Sequence, residues 1–242
     1  MEICVNQEIN DLIRDLGLRA GAVVSVVGSG GKTTLIQSLA RELSRQYRVC
    51  VAASTKMKDP LEEDGKCYRI LKDSLKGQTP PKKPGIYYVA DEQLPGPKLH
   101  GFSRDLADWA LKNTDVILIE ADGSRTLPLK GWAEHEQVVI KETQITIGVM
   151  PVYVLGMRAD EQIIHRFPIF SRLTGVKMGE PLTREHLIRA IAHPDGLFGK
   201  AVGEKVLYFS QISSETMAEE ANTIAGDPRL DFIDKIILGS RF

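Results

Sequence analysis

The sequence predicts an α/β fold of three layers, in which helices cover both faces of a mostly parallel β-sheet. Short runs rich in β-branched residues recur along the chain, and such runs are typical of buried parallel strands. Segments with apolar residues at helical spacing separate these runs, as in βαβ units. The length of 242 residues and the 43% share of hydrophobic residues suit one large domain, and we expect residues 1–242 to form it.

The first elements follow from local patterns. We predict a strand over Val23–Val27 and, before it, a short helix within the first twenty residues whose apolar face contains Ile9, Leu12, Ile13 and Leu16. A glycine-rich turn leads into a helix that ends near Leu43, and a second buried strand covers residues 48–53. This order of strand, turn, helix and strand predicts a βαβ unit with a right-handed crossover.

The rest of the chain continues the alternation. Residues 56–85 are polar, with a small β element expected at residues 67–71, and a helix capped by Ser103 follows. A helical insertion is expected over approximately residues 156–200, where Thr183 caps a helix that ends at His193-Pro194. The remaining predicted elements are a helix over residues 217–225 and strands over residues 86–89, 115–120, 145–149, 206–209 and 236–238.

Composition excludes several classes of protein. The 31 basic and 32 acidic residues give a net charge of −1, which argues against a surface devoted to nucleic acid or to a membrane. The amino terminus lacks a basic segment followed by an apolar one, and the apolar stretch Ala20–Val27 is too short to span a bilayer. Cys4, Cys50 and Cys67 form no CxxC pair, so we expect neither disulfides nor a thiolate zinc site, and a reducing, cytoplasmic setting.

The strongest local signal is the loop Gly28-Ser29-Gly30-Gly31-Lys32-Thr33-Thr34, between a predicted strand and a predicted helix. Glycines let successive N–H groups line a concave anion site, and the helix start adds its positive end. Lys32 is placed to contact β- and γ-phosphate oxygens, and the Thr33 hydroxyl to bind Mg²⁺. The pattern therefore predicts a P-loop NTPase-like fold that binds ATP or GTP with Mg²⁺. The lack of an N-K-x-D guanine signature favours ATP.

The loop departs from the full G-x-x-x-x-G-K-[ST] pattern, because Val26 stands where that pattern requires glycine. Gly28 instead begins a shortened form, which resembles the loops of Mur ligase-like NTPases. A dinucleotide-binding fold would require G-x-G-x-x-G, and residue 33 is threonine. A glycine-rich turn without a ligand is the alternative, but it gives no reason for Lys32 and Thr33 at the helix start.

Two acidic residues follow the third strong strand. Glu120 comes directly after Val116–Ile119, and Asp122 comes two residues later. Mg²⁺ that binds a hydroxyl and phosphate oxygens usually meets a carboxylate at a neighbouring strand end. We predict Glu120 as the metal-binding acid and Asp122 as a second acid or water-orienting base, although either could merely cap a turn. With Lys32 they form the predicted catalytic set. Lys56 follows the second strand, where it either contacts phosphate or a substrate anion or is a solvated lysine.

A longer motif, Glu120-Ala121-Asp122-Gly123-Ser124-Arg125, precedes Leu127-Pro128-Leu129-Lys130 and Glu134-His135-Glu136. With the glycine-rich loop, His165-Arg166 and residues 193–197, it makes the chain resemble the YqeC family of selenium-dependent hydroxylase accessory proteins. The resemblance spans most of the chain. It implies a P-loop NTPase that helps to mature the selenium–molybdenum centre of hydroxylases, with such a hydroxylase or its cofactor as partner.

Further basic residues are candidates for the same site. Arg125 and Lys130 either hold a phosphate, a molybdopterin-like anion or an oxyanion, or pair with Glu134 or Glu136. His135 is a metal ligand, an acid/base group or a turn residue.

The leading hypothesis is hydrolysis of a nucleotide, or transfer of its phosphoryl or nucleotidyl group. One alternative is a nucleotide-gated carrier or chaperone for a cofactor. A small-molecule kinase or Mur-like ligase is another.

Overall fold

The structure is a computed structural model that describes residues 2–6, 8–58, 67–75, 81–96 and 98–240. The described residues form fourteen strands and six α-helices. The strands are β1 (Glu2–Asn6), β2 (Val23–Gly28), β3 (Arg48–Ala53), β4 (Lys56–Lys58), β5 (Cys67–Leu71), β6 (Gly85–Ala90), β7 (Glu92–Leu94), β8 (Lys98–His100), β9 (Val116–Glu120), β10 (Leu129–Lys130), β11 (Ile145–Pro151), β12 (Ile164–His165), β13 (Glu204–Ser210) and β14 (Lys235–Gly239). The helices are α1 (Ile9–Asp15), α2 (Lys32–Leu43), α3 (Arg104–Asn113), α4 (Phe167–Thr174), α5 (Arg184–Ala192) and α6 (Glu215–Ala225).

A nine-stranded central sheet organises the molecule, in the order β1-β14-β13-β11-β2-β9-β3-β6-β5. Every neighbouring pair in it is parallel, which confirms the predicted α/β class and mostly parallel sheet. Strand β2 lies where the strand order reverses, since β9 and β3 extend to one side and β11, β13 and β14 to the other. Such a reversal opens a crevice outside the carboxyl ends of the strands, where ligands bind in open α/β sheets.

Two hydrophobic cores flank the sheet and confirm the three layers. Alternate residues of β2 enter different cores, with Val23 and Val27 in one and Val24 and Val26 in the other. Helices α1 and α2 pack into the core of Val24 and Val26, and helices α3 to α6 pack into the core of Val23 and Val27. Because both faces are covered, the central strands β2 and β11 are buried along their whole length and consist mainly of apolar residues.

The amino-terminal segment differs in part from the prediction. It contains the expected helix, α1, but also strand β1, which pairs with β14 at the sheet edge. A strand of five residues is too short to show a pattern that predicts its pairing with a strand from the other end of the chain. The three-stranded antiparallel sheet β4-β8-β7 was likewise not predicted, and it contains Lys56.

The segment over residues 156–200 contains α4 and α5, as predicted for the helical insertion. Helix α5 begins after Thr183, whose backbone N–H donates to Nδ1 of His186 at 3.2 Å, and it ends before Pro194. Strand β12 pairs in parallel with β10, which ties this segment to the chain that follows β9. Among the helices described, none has both the length and the apolar character needed to cross a bilayer.

Candidate functional site

Glycines allow the loop between β2 and α2 to adopt its backbone conformation. Gly28, Gly30 and Gly31 have φ angles of 96°, 76° and 142°, which L side chains rarely adopt. A Cβ atom on Gly28 would lie 2.3 Å from the carbonyl oxygen of Val149, and one on Gly30 would lie 2.5 Å from Cγ of Pro151. The loop therefore presses directly against β11, and only glycine fits at these two positions.

The polar backbone groups of the loop point in two directions. The carbonyl of Gly30 accepts hydrogen bonds from Oγ of Ser210 at 2.7 Å and from Nε2 of Gln211 at 2.9 Å, and the carbonyl of Gly31 accepts from the N–H of Leu35. The N–H groups of Gly30 and Gly31 meet no acceptor within the described part of the chain. The first N–H groups of α2 also lack partners inside their own helix. Several donors are thus left for a ligand.

A cavity of about 430 Å³ opens beside these donors. Its walls are loop residues 30–35 together with side chains at the carboxyl ends of the central strands, among them Glu120, Tyr153 and Gln211. Pockets of roughly 300–1,000 Å³ are the usual size for small-molecule ligands. The cavity is thus large enough for a small-molecule ligand. It also lies beside β2, where the reversal of strand order opens a crevice.

The ammonium group of Lys32 lies at the base of this cavity, and the side chain is only 2% exposed. Its Nζ donates to the Gly28 carbonyl at 2.6 Å and lies 3.1 Å from Oδ1 of Asp122 and 3.7 Å from Oε1 of Glu120. An ammonium has three hydrogen-bond donors. The three oxygens can accept all three donors of Lys32, and Glu120, the most distant of them, is the one that a further partner would displace.

Thr33 and Glu120 form a pair on the cavity wall, where the Thr33 hydroxyl donates to Oε2 of Glu120 at 3.0 Å. Burial raises the pKa of Glu120, and the positive charge of Lys32 and the Thr33 hydrogen bond only partly offset this effect. In the described ranges, no three His, Cys, Asp or Glu side chains are grouped to hold a metal ion. A cation here would take the rest of its ligands from phosphate oxygens and water, as Mg²⁺ commonly does.

Asp122 does not line the cavity, because it is completely buried beneath the loop. Its Oδ2 accepts hydrogen bonds at 3.0 Å from the N–H of Gly28 and at 3.0 Å from Nε1 of Trp132, while its Oδ1 faces Lys32. The structure thus makes Asp122 an anchor for the loop and for Lys32. Of the two predicted acids, Glu120 is the one beside the cavity.

Lys130 lies behind Asp122, and its side chain is fully buried. Its Nζ donates to the Gly123 carbonyl at 2.5 Å and to Oε2 of Glu136 at 2.8 Å, and it lies 3.3 Å from Oδ2 of Asp122. Arg166 donates to the same oxygen of Glu136. Burial acts to raise the pKa of Glu136, but Lys130 and Arg166 outweigh burial and the pKa is lowered. Of the two alternatives for Lys130, pairing with an acid is the one observed.

The other candidate basic residues lie outside the cavity wall. Lys56 is exposed in β4, opposite His100, and Arg125 is exposed at a φ of 51°. His135 is exposed as well. Burial lowers the pKa of His165, and so do the nearby positive charges of Arg166, Lys130 and Arg125.

Several cavity residues were not among the predicted candidates. Tyr153, Ser210 and Gln211 follow or end β11 and β13, and Thr126 lies beyond β9. Thr126 and Gln211 have φ angles of 64° and 61°, which is strained for residues other than glycine, and such strain is often found at functional sites. Polar side chains at or just after the carboxyl ends of the parallel strands were the signal that could have identified Tyr153, Ser210 and Gln211.

Comparison with known proteins identifies the family. The family model described as YqeC protein matches residues 24–168, more than half of the chain. The chain is 32% identical over 191 residues to a protein of Escherichia coli (strain K12) named "Uncharacterized protein YqeC", and the match covers 77% of this chain and 74% of that protein. No solved structure matches the chain significantly. The family match includes the glycine-rich loop, the residues that follow β9, and strand β11. The chain therefore belongs to the YqeC family.

Proposed function

We propose that this protein binds a nucleoside triphosphate, preferably ATP, together with Mg²⁺, and hydrolyses it or transfers its phosphoryl or nucleotidyl group. One observation carries the proposal. The N–H groups of Gly30 and Gly31, which have no acceptor among the residues that the structure describes, lie at the start of α2, next to Lys32 and on the wall of the 430 Å³ cavity. Backbone donors, a helix N-terminus and a cation are together the usual environment of a bound polyphosphate.

Within this proposal each residue has a separate task. The N–H groups of residues 30–34 and the Lys32 ammonium bind the phosphate oxygens, while Asp122 orients Lys32 from below. Thr33 and Glu120 hold the Mg²⁺ ion, which neutralises phosphate charge when bound. Glu120 is also a carboxylate that lines the cavity. Neither Lys56 nor Arg125 has a part in this proposal, because neither lines the cavity.

The biological role that we propose comes from the family resemblance. It is the maturation of selenium-dependent molybdenum hydroxylases, with the hydroxylase or its cofactor as partner. Because the three cysteines form no CxxC motif, we propose that this takes place in the reducing cytoplasm.

Calorimetric titration with Mg·ATP and Mg·GTP tests the binding site. We expect the wild type to bind and Lys32→Ala to bind at least about tenfold more weakly, a loss of about 1.4 kcal/mol. Lys56→Ala is the matched control, because it removes a lysine charge outside the cavity and should retain wild-type affinity. A wild type that binds neither nucleotide, or a Lys32→Ala variant with unchanged affinity, would refute the proposal.

Turnover measurements test the reaction class. Glu120→Gln should retain nucleotide binding and lose Mg²⁺-dependent turnover, because an amide is a poorer ligand for Mg²⁺ than a carboxylate. Fast turnover that needs a small acid would indicate a kinase or a ligase. Slow turnover that only a hydroxylase accelerates would indicate a nucleotide-gated carrier.

A further inference from the structure

A continuous row of charged side chains, the central ones buried, leads away from the candidate phosphate site. Lys32 faces Asp122, Asp122 faces Lys130, Lys130 binds Glu136, and Arg166 binds the far side of the row at Glu136. With Glu120 beside Lys32, the row contains three basic and three acidic side chains. A buried charge that loses its partner is strongly unfavourable. The position of each side chain in the row therefore depends on the charges beside it.

Asp122 depends most strongly on its partners, because it is completely buried and its two oxygens face two different lysines. Lys32 lies 3.1 Å from Oδ1, and Lys130 lies 3.3 Å from Oδ2. If Lys130 were absent, Asp122 would have Lys32 as its sole cationic partner among the described residues. Any movement of Lys32 toward a phosphate would then leave a buried carboxylate without a counter-charge.

We propose that Lys130 is a positioning residue, and that its contact with Asp122 frees the Lys32 ammonium to bind a polyphosphate. The inference rests on the proposed function and deepens it, because it concerns how the same site becomes available to its ligand. Lys130 does not line the cavity and does not touch the ligand. It compensates the charge of Asp122 when Lys32 turns toward the phosphate oxygens, and so lowers the cost of binding.

The charge of Lys130, rather than its bulk, is the property at issue. In Lys130→Met, Asp122 should hold Lys32 more tightly, and the affinity for Mg·ATP should fall at least about fivefold, within the usual range of coupling between sites. In the double variant with Asp122→Asn, the carboxylate that holds Lys32 is gone. The loss caused by Lys130→Met should therefore be small in that background. A lysine that only filled space beneath the loop would cause the same loss in both backgrounds.

The experiment is a double-mutant cycle on the full chain, with calorimetric titration of Mg·ATP into the wild type, Lys130→Met, Asp122→Asn and the double variant. Circular dichroism establishes that each variant is folded. The proposal predicts weaker binding by Lys130→Met than by the wild type, and a much smaller loss when Lys130→Met is added to Asp122→Asn. A folded Lys130→Met variant with wild-type affinity would overturn it, and so would a loss that persists in the double variant.

Glu136→Gln provides a second test if Lys130→Met does not fold. Removing this carboxylate leaves Asp122 as the one carboxylate that contacts Lys130 among the described residues, so the affinity for Mg·ATP should stay the same or rise. A merely structural role for the Lys130–Glu136 pair predicts weaker binding, and that result would overturn the proposal. A wild type that binds no nucleotide would instead refute the proposed function itself, which separates the two failures.

Discussion

Replacing Gly28 by alanine should separate the cost of a clash from the cost of a strained backbone. Gly28 and Gly21 have nearly the same φ, 96° and 92°, but an added Cβ on Gly21 would meet nothing within 4 Å. Gly21→Ala should therefore cost only the conformational penalty of a positive φ, about 1–2 kcal/mol. At Gly28 the Cβ would lie 2.3 Å from the carbonyl oxygen of Val149, which also accepts the N–H of Ser29.

Relief of that clash requires β2 and β11 to move apart at the loop. Overpacking of this kind adds about 1–3 kcal/mol, and a lost hydrogen bond adds about 1 kcal/mol. We therefore expect Gly28→Ala to be about 2–4 kcal/mol less stable than Gly21→Ala. For a chain of this size the difference corresponds to a melting temperature lower by roughly 5–15 °C.

Urea unfolding followed by circular dichroism measures both variants, with the wild type as reference. A calorimetric titration with Mg·ATP of the folded variants adds a second readout, in which Gly21→Ala should bind and Gly28→Ala should not. If the two variants unfold at the same urea concentration, the loop does not press on β11, and the account of the glycines is wrong.

Two further predictions concern ionisable groups. Because burial raises the pKa of Glu120, its charged form weakens the native state, and wild-type stability should fall as the pH rises through this raised pKa. Glu120→Gln should thus be more stable than the wild type near neutral pH and lose this advantage toward pH 4.5. Urea titrations at several pH values measure the difference in free energy of unfolding between the two proteins. A difference that does not change with pH would contradict the reasoning. Burial also raises the pKa of the Cys50 thiol far above its ordinary value. Alkylation followed by peptide mapping should leave Cys50 unmodified in the folded protein and modified in denaturant, and labelling of Cys50 in the folded protein would contradict its burial.

Long, uniformly patterned elements were predictable from the sequence. The apolar run of β9 and the helical spacing of α2 reflect burial on a covered sheet face, which is a local property of the chain. Short strands were not predictable in the same way. Strand β4 has only three residues and forms because it pairs with β8, where Lys56 lies opposite His100. Its formation therefore depends on contacts between segments that are distant in the sequence.

The same distinction applies to the candidate site. The glycine-rich loop and Glu120 were identifiable, since a strand end followed by glycines and a helix start is a pattern along the chain. The position of Asp122 was not, because β9 ends at Glu120 and the alternation of side chains stops there. That Asp122 turns beneath the loop toward Lys32 and Trp132 depends on a buried polar cluster assembled from separate segments.

The central claim is that the N–H groups of the loop bind the phosphates of a nucleotide. Nuclear magnetic resonance of protein labelled with ¹⁵N-glycine tests it directly, because the amide signals of Gly30 and Gly31 report a new hydrogen bond. Addition of Mg·ATP should move both signals downfield, while Gly179, whose N–H already binds the carbonyl of Ala159, should stay in place. Saturating Mg·ATP that leaves the signals of Gly30 and Gly31 where they were would contradict the account.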